Sequence, residues 1–299
     1  MASLGLEFHT DVAAFLAAAG DWLAERPVTG TVVATAAERA ARDAGAGIGP
    51  DPTRPHWWLV VREASGAVVG AAMRTAPFAP FPPYVLAMPE EAALATARAL
   101  HERGERIDAV NGLLPTARAV ADETGRLTGR TPRVFEHVRL WEVGELVEPG
   151  SVPGALRPAR PGEAALVRDW YSVFGAEAAE QAGHTDPHPS DPSFDIDAAR
   201  RRIDGGEVWL WEVDGEVVSV ANTKPPAYGV VCIGPVYTPK PHRGRGYATA
   251  AVAAATRRLL DEGRRVCLFT DVDNPVSNRI YAAIGYRAVA DTANHVLET

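Results

Sequence analysis

Val236-Tyr237-Thr238-Pro239-Lys240-Pro241-His242-Arg243-Gly244-Arg245-Gly246-Tyr247-Ala248 joins an apolar β run, residues 230–237, to an alanine-rich helix expected over residues 247–260. The joint reads Arg-x-x-Gly-x-Ala at Arg243, Gly246 and Ala248. Two glycines and an alanine at a strand-to-helix turn let backbone come close to a bulky anion. The unpaired N–H groups of the first helical turn and the positive end of the helix dipole then bind it. An arginine inside the loop adds charge-assisted hydrogen bonds to phosphate. An ordinary strand–helix turn with two surface arginines would read the same way in isolation.

The following residues narrow the choice. Gly263 ends the helix, and a second β run covers 266–270. Then comes Asn274-Pro275-Val276-Ser277-Asn278-Arg279-Ile280-Tyr281-Ala282-Ala283-Ile284-Gly285-Tyr286, with the spacing Asn-x-x-Ser-x-x-x-Tyr-x-x-x-Gly-Tyr. The two motifs, in this order, resemble the GNAT superfamily of acetyl-CoA-dependent N-acetyltransferases. The resemblance is sharp over 230–290 and looser back to about residue 155.

The resemblance implies acetyl-CoA as cosubstrate, no metal, and an amine acceptor that is a small molecule or a peptide. It assigns the cofactor to Val236, Tyr237, Thr238, Arg243, Gly244, Arg245, Gly246, Tyr247, Ala248 and Thr249 in the loop, and to Asn274 and Ser277 on the next helix. Tyr281 is implied as the general acid, because a phenol with pKa near 10 stays protonated at neutral pH and can serve the departing thiolate. Asn274 can equally cap its helix. The general base stays open. Residues 230–237 carry no carboxylate, unlike many family members, which leaves Asp271 acting through water, or ordered water alone.

In the family the cofactor strand splays from its neighbour, and Gly234-Pro235 fits a strand that cannot pair fully there. A non-catalytic acetyl-CoA sensor or scaffold is the rival reading, and Tyr281 argues for the enzyme. A P-loop nucleotide binder does not fit, since no Gly-Lys-Ser/Thr ends the loop.

With 299 residues the chain has room for two domains. Its 46% apolar and 23% charged content is that of a globular protein. A net charge of -8 argues against a nucleic-acid partner. No apolar run approaches the roughly 20 residues that span a bilayer. Residues 12–19, flanked by Asp11 and Asp21, are too short for a signal peptide core. Cys232 and Cys267 each lie in an apolar β run and read as buried reduced thiols of a cytoplasmic protein.

Residues 147–154 hold two prolines and two glycines and read as a linker between domains 1–146 and 155–299. Asp214-Gly215 between two β-rich runs predicts a hairpin. The first half repeats these landmarks faintly. Trp58-Leu59 with Gly66 matches Trp209-Leu210 with Gly215, and Gly104 matches Gly263. It lacks the glycine loop, and its helix near Pro89 opens with Glu90-Glu91. The expected fold is α/β (α+β): two GNAT-like domains, each a mixed, mostly antiparallel central sheet flanked by helices, the first degenerate and without a cofactor loop.

His184-x-Asp186-x-His188 has metal-ligand residue types, but it lies in a proline-rich loop and the chemistry requires no metal. Asp186, Asp191, Asp195 and Asp197 would suit a cationic amine, or simply form a solvated acidic loop. The oligomeric state and the acceptor's identity are not encoded in any motif.

Overall fold

The structure, a computed structural model, describes residues 4–184 and 194–299. The chain forms two compact units, one of Met1–Val138 with Ala290–Thr299 and one of Arg139–Val289.

The first half runs β1 (Gly5–His9), α1 (Val12–Ala24), α2 (Thr31–Gly45), β2 (Trp57–Arg62), β3 (Val68–Arg74), β4 (Tyr84–Val85), α3 (Glu90–Glu102), β5 (Ala109–Leu113), α4 (Thr116–Thr128) and β6 (Thr131–Val143). The second half runs β7 (Ala155–Pro158), α5 (Ala164–Ala182), α6 (Ile196–Asp204), β8 (Val208–Val213), β9 (Glu216–Thr223), β10 (Val230–Tyr237), α7 (Tyr247–Asp261), β11 (Arg265–Asp271), α8 (Pro275–Ala283) and β12 (Tyr286–Glu298). The same order of strands and helices occurs twice.

Pairing repeats as well. β1–β2, β2–β3 and β3–β4 are antiparallel and β4–β5 is parallel. β7–β8, β8–β9 and β9–β10 are antiparallel and β10–β11 is parallel. Each parallel pair is connected through a helix, α3 or α7, as a parallel crossover requires. The fold is therefore the mixed, mostly antiparallel α/β arrangement expected from sequence.

The unit bounds differ from 1–146 and 155–299. The last strand pairs with β5 inside the first unit, from Thr292↔Leu113 to Val296↔Ala109. Residues 139–143 of β6 belong to the second unit, where Trp141 Nε1 donates to Thr270 Oγ1 at 2.7 Å. Each unit is thus completed by the final strand of the other half of the sequence. Residues 147–154 have no regular structure, but they are docked within the second unit. Val152 packs on its core, and Trp211 Nε1 donates to the Pro153 carbonyl at 2.9 Å.

In the first unit, Leu59, Val61, Ala72, Val85 and Val110 pack against Ala93, Ala97 and Leu100 of α3 and Val120 of α4. In the second, adjacent strand residues enter different cores, because successive side chains point to opposite faces. Ala221 and Val236 face α7, while Val220 and Tyr237 face α5 and α6. Among the described residues, no helix is long and apolar enough to cross a membrane.

The parallel pair of the first unit is held very close. Gly112 has φ 149°, and a Cβ there would lie 2.2 Å from the Val85 carbonyl oxygen. Gly112→Ala should therefore cost at least about 2 kcal/mol, since the backbone conformation and the contact both reject a side chain. Gly49→Ala, where a Cβ meets nothing within 4 Å, serves as the neutral control. Urea unfolding midpoints of the two variants check this difference.

Candidate active site

The pairing of β10 changes partway along the strand. It follows β11 from Val230↔Arg265 to Ile233↔Leu268 and then leaves it. Its register against β9 shifts between Ile233 and Val236. Gly234 (φ 144°) and Pro235 occupy the shift. Proline has no N–H for a ladder, so the strand separates where the sequence reading placed the defect. The Pro235 carbonyl, no longer paired with a strand, accepts from Asn222 Nδ2 at 2.9 Å.

Past the break, the strand end is tied down. Ser219 Oγ donates to the Tyr237 carbonyl at 3.0 Å. With that proton committed, Thr238 Oγ1, 2.8 Å away, is the donor to Ser219. A short 3-10 turn at Lys240–His242 leads into the glycines. Gly244 (φ 76°) and Gly246 (φ 82°) adopt left-handed conformations, and a Cβ on Gly244 would meet nothing within 4 Å. Gly244, Arg245 and Gly246 are exposed. Gly246 is the N-cap of α7, and no side chain caps it. The first N–H groups of Tyr247, Ala248 and Thr249 lack partners inside the helix by geometry. This end of α7 is an open set of donors with a positive dipole.

The cations around the loop are arranged differently from the simplest expectation. Arg243 does not point its guanidinium outward. Its Nε donates to the Thr238 carbonyl at 2.9 Å, and its other end pairs with Glu177 of α5. Lys240 pairs with Glu180, one turn further along the same helix, at 2.7 Å. Arg245 is exposed, and no ion pair engages it among the described residues. Glu177 also accepts from Tyr237 Oη at 3.1 Å. Burial, and then this carboxylate, raise the Tyr237 pKa.

On the opposite side of β11, Asn274 is 6% exposed, and its Oδ1 accepts from the Ser277 N–H at 3.0 Å. It is therefore the N-cap of α8. Tyr281, one helix turn beyond Ser277, is buried with Tyr247, Ile284 and Tyr286 in the α7 core. Burial pushes its phenol well above the ordinary tyrosine range. No hydrogen bond engages its hydroxyl among the described residues. Tyr286, in contrast, shares a 2.6 Å bond with Thr256 Oγ1. Gly285 (φ 96°) allows the turn between them, because a Cβ there would lie 2.0 Å from the Glu145 carbonyl.

Asp271 is 8% exposed at the end of β11. Its Oδ2 lies 2.8 Å from His184 Nε2, and its Oδ1 accepts from the Asp273 N–H at 2.8 Å. His184, Asp271 and Asp273 bring three potential metal-ligand atoms within 4.8 Å of one another. Asp186, His188 and Asp191 lie outside the described residues, so the His-x-Asp-x-His motif is represented here by His184 alone. Asp195 is the N-cap of α6, accepting from the Ala198 N–H at 2.8 Å. Cys232 and Cys267 form no disulfide, are buried and stand opposite each other across β10 and β11, one step before the break.

Several residues at this site carry no motif. Glu177 and Glu180 would be visible only as two acids three apart on a helix, matching Lys240 and Arg243 at the same spacing. Asn222 stands out mildly as the polar residue after Val220-Ala221 in an apolar strand. Asn278 accepts from Thr270 Oγ1 at 2.6 Å and donates to the Asp271 and Val272 carbonyls, which fixes α8 to the end of β11.

Residues 168–286 match the sequence model of the Acetyltransferase (GNAT) family. The chain thus carries a GNAT domain in its second half. A GCN5-related N-acetyltransferase from Sphaerobacter thermophilus has a similar structure, with TM-score 0.57 and 16% identity over 97% of this chain and 94% of that one. A tandem GNAT protein from the clavulanic acid biosynthesis pathway aligns with TM-score 0.53 and 16% identity, covering 97% of this chain and 98% of that one. A GNAT-family acetyltransferase from Colwellia psychrerythraea covers 99% of this chain and 100% of its own at TM-score 0.56 and 9% identity. These likenesses extend the fold over the whole chain, in agreement with a tandem GNAT form. By sequence, no curated protein matches it. Acetyl transfer is the general class of activity that the family supports.

Asn274→Ala should lower stability by about 1 kcal/mol, and Asn274→Ser should recover most of it, because serine also caps. Thermal unfolding of both variants, without ligand, tests the cap separately from any part Asn274 plays toward a cofactor.

Proposed function

We propose that the second half transfers the acetyl group of acetyl-CoA to a primary amine by direct attack. The observation that carries this reading is the open, uncapped N-terminus of α7 directly beyond the break in β10. Exposed glycines with room for a phosphate, unpaired N–H groups and Arg245 fit a pyrophosphate. The departure of β10 from β11 leaves backbone groups around Val236 and Thr238 for an extended, amide-bearing arm.

Bound acetyl-CoA supplies an activated thioester. The chain's own residues do the rest. The loop from Thr238 to Thr249 holds the phosphates and orients the arm, with Ser277 and the Asn274 amide at the next helix. Tyr281 keeps its proton at neutral pH, so its hydroxyl donates to the sulfur as negative charge develops there. A donor that gains strength only as charge appears favours the transition state over the ground state. No carboxylate on β10 stands ready to deprotonate the amine, so its proton leaves through Asp271 with its His184 partner, or through water. No metal takes part.

The missing carboxylate on β10 also suits the second reading, a non-catalytic acetyl-CoA sensor. The first unit, in this proposal, holds no cofactor. Residues 86–89 replace the loop of 238–246, Glu90 and Glu91 fill the first turn of α3, and Gly112 brings β5 against β4 where the splay would be. Carboxylates in that turn stabilise the dipole themselves and repel pyrophosphate. Two buried cysteines without a disulfide fit a cytoplasmic protein, and the acidic balance fits a small-molecule or peptide partner over nucleic acid.

Gly246→Asp places a side chain and a negative charge where phosphate should sit. Calorimetry with CoA should show binding lost in this variant, and unchanged affinity would overturn the cofactor assignment. Tyr281→Phe should keep the CoA dissociation constant and lower kcat by about 10²–10⁴-fold, the usual loss for a general acid. A variant with full turnover would remove Tyr281 from the chemistry, and absence of turnover in the native chain with every amine class would favour the sensor.

A further inference from the structure

The end of α5 and the end of β11 meet through three side chains of metal-ligand type. His184 Nε2 lies 2.8 Å from Asp271 Oδ2, and one ligand atom each of His184, Asp271 and Asp273 falls within 4.8 Å of the other two. The backbone that carries each of them is fixed. Gly183 ends α5 in the left-handed conformation, and the His184 N–H donates back to the Ala179 carbonyl at 2.9 Å. Asp271 ends its strand in a turn. Its carbonyl accepts from the Asn274 N–H and from Asn278 Nδ2, each at 3.1 Å, and its Oδ1 accepts from the Asp273 N–H at 2.8 Å. That last bond holds the backbone of Asp273 beside the Asp271 carboxylate.

The charges of the cluster are out of balance. The Asp271 side chain is 5% exposed and that of His184 29%. Asp273 is exposed, and among the described residues no hydrogen bond or ion pair engages its carboxylate. Two carboxylates this close repel each other, and the burial of one of them strengthens the repulsion. A proton on His184 offsets one of the two charges, whereas a divalent cation offsets both. The C-terminal end of the α5 dipole adds negative potential on the His184 side.

We propose that His184, Asp271 and Asp273 bind one divalent cation of the zinc type, through the imidazole Nε2 and one oxygen of each carboxylate. The donor set selects the ion. An imidazole nitrogen suits Zn²⁺, Co²⁺ and Ni²⁺, while Mg²⁺ and Ca²⁺ take oxygen ligands. Three protein ligands leave the remaining position to water. Ligand atoms about 2.0–2.2 Å from a tetrahedral zinc stand roughly 3.3 Å from one another. His184 and Asp271, at 2.8 Å, need part only slightly to admit the ion, and the exposed Asp273 side chain turns inward to complete the set. The ion takes the place of the proton between His184 and Asp271. It joins the end of a helix to the end of a strand 87 residues further along the chain. Acetyl transfer needs no ion here. An ion on Asp271 and His184 closes that side-chain route to the amine's proton and leaves it the route through water.

The test titrates the full chain, stripped with EDTA and dialysed, with ZnCl₂ in a calorimeter. Acetyl-CoA is left out, so the result stands apart from the acetyltransferase reading. One Zn²⁺ should bind per chain in the presence of excess Mg²⁺. It should also raise the unfolding temperature, because an ion held by the native fold stabilises that fold. Asp273→Asn removes a ligand and keeps the N–H that Asp271 uses. It should weaken Zn²⁺ at least about tenfold, since partners that only orient a metal ligand already account for about 10–100-fold in affinity. His184→Ala should weaken it as much or more. His101→Ala, at an exposed position of α3 in the first unit, should bind Zn²⁺ as the native chain does. Absence of Zn²⁺ binding, displacement of Zn²⁺ by an equal concentration of Mg²⁺, or unchanged affinity in Asp273→Asn would each overturn the proposal. Affinity that falls in His184→Ala and holds in Asp273→Asn would show a lone surface histidine and overturn it equally.

Discussion

The parting of β10 from β11 after Ile233 is the constraint on which the proposed chemistry of the second unit depends. A parallel ladder persists while each residue can present its donor and acceptor to the neighbour. Gly234, at φ 144°, and Pro235, with no N–H, end that condition within two residues. The Pro235 carbonyl turns to Asn222, and the strand continues to Tyr237 paired with β9 and no longer with β11. The chain then enters α7 through glycines in place of a side-chain cap. The re-aimed Pro235 carbonyl and the strand end freed from β11 both follow from one interrupted ladder.

The first unit shows what the same scaffold looks like without that interruption. Its elements come in the same order and pair in the same directions. Yet Val85 and Gly112 bring β4 and β5 so close that only glycine fits, and four residues carry the chain directly into α3. Burial of alternating apolar residues maintains the sheet and its helices in both units. The loop, the splay and the caps depend on a handful of local residues that contribute little to the core. A repeated fold can therefore differ in these local devices and keep its architecture.

Most of the second half was legible because its signals are local. The Asp214-Gly215 hairpin, the apolar run of 230–237 and the alanine-rich helix α7 each follow from periodicity and turn chemistry within a few residues. The fate of the last strand was not legible. A period of two marks residues 286–298 as a strand, but the pattern is the same whichever partner it finds, so assigning 290–299 to the first unit required the three-dimensional pairing with β5. The site divided along the same line. Gly234-Pro235, the glycine loop and Tyr281 announce themselves by residue type and spacing. The contacts of Asp271 with His184, and of Arg243 with Glu177, join residues far apart in sequence, and nothing in either segment names its partner. Asn274 was readable as a cap from its place before Pro275, and it is one.

Glu177 connects the two halves of the site. It accepts from the Tyr237 hydroxyl at the end of β10 and pairs with the Arg243 guanidinium of the glycine loop. Glu180 holds Lys240 in the same way, although so exposed a pair contributes little. The Arg243 pair is partly buried and braced by the Thr238 carbonyl, so it is the stronger tether. The face of α5 that packs Val167, Trp170 and Phe174 on the sheet therefore ends in the carboxylates that neutralise the loop's cations. Any anion that competes for Arg243 weakens its hold on Glu177 and so on α5. Backbone N–H groups and Arg245 can bind a pyrophosphate without that competition. On the proposed reading the charges divide the labour: the helix end and Arg245 would carry the phosphate, while Arg243 secures the loop against α5.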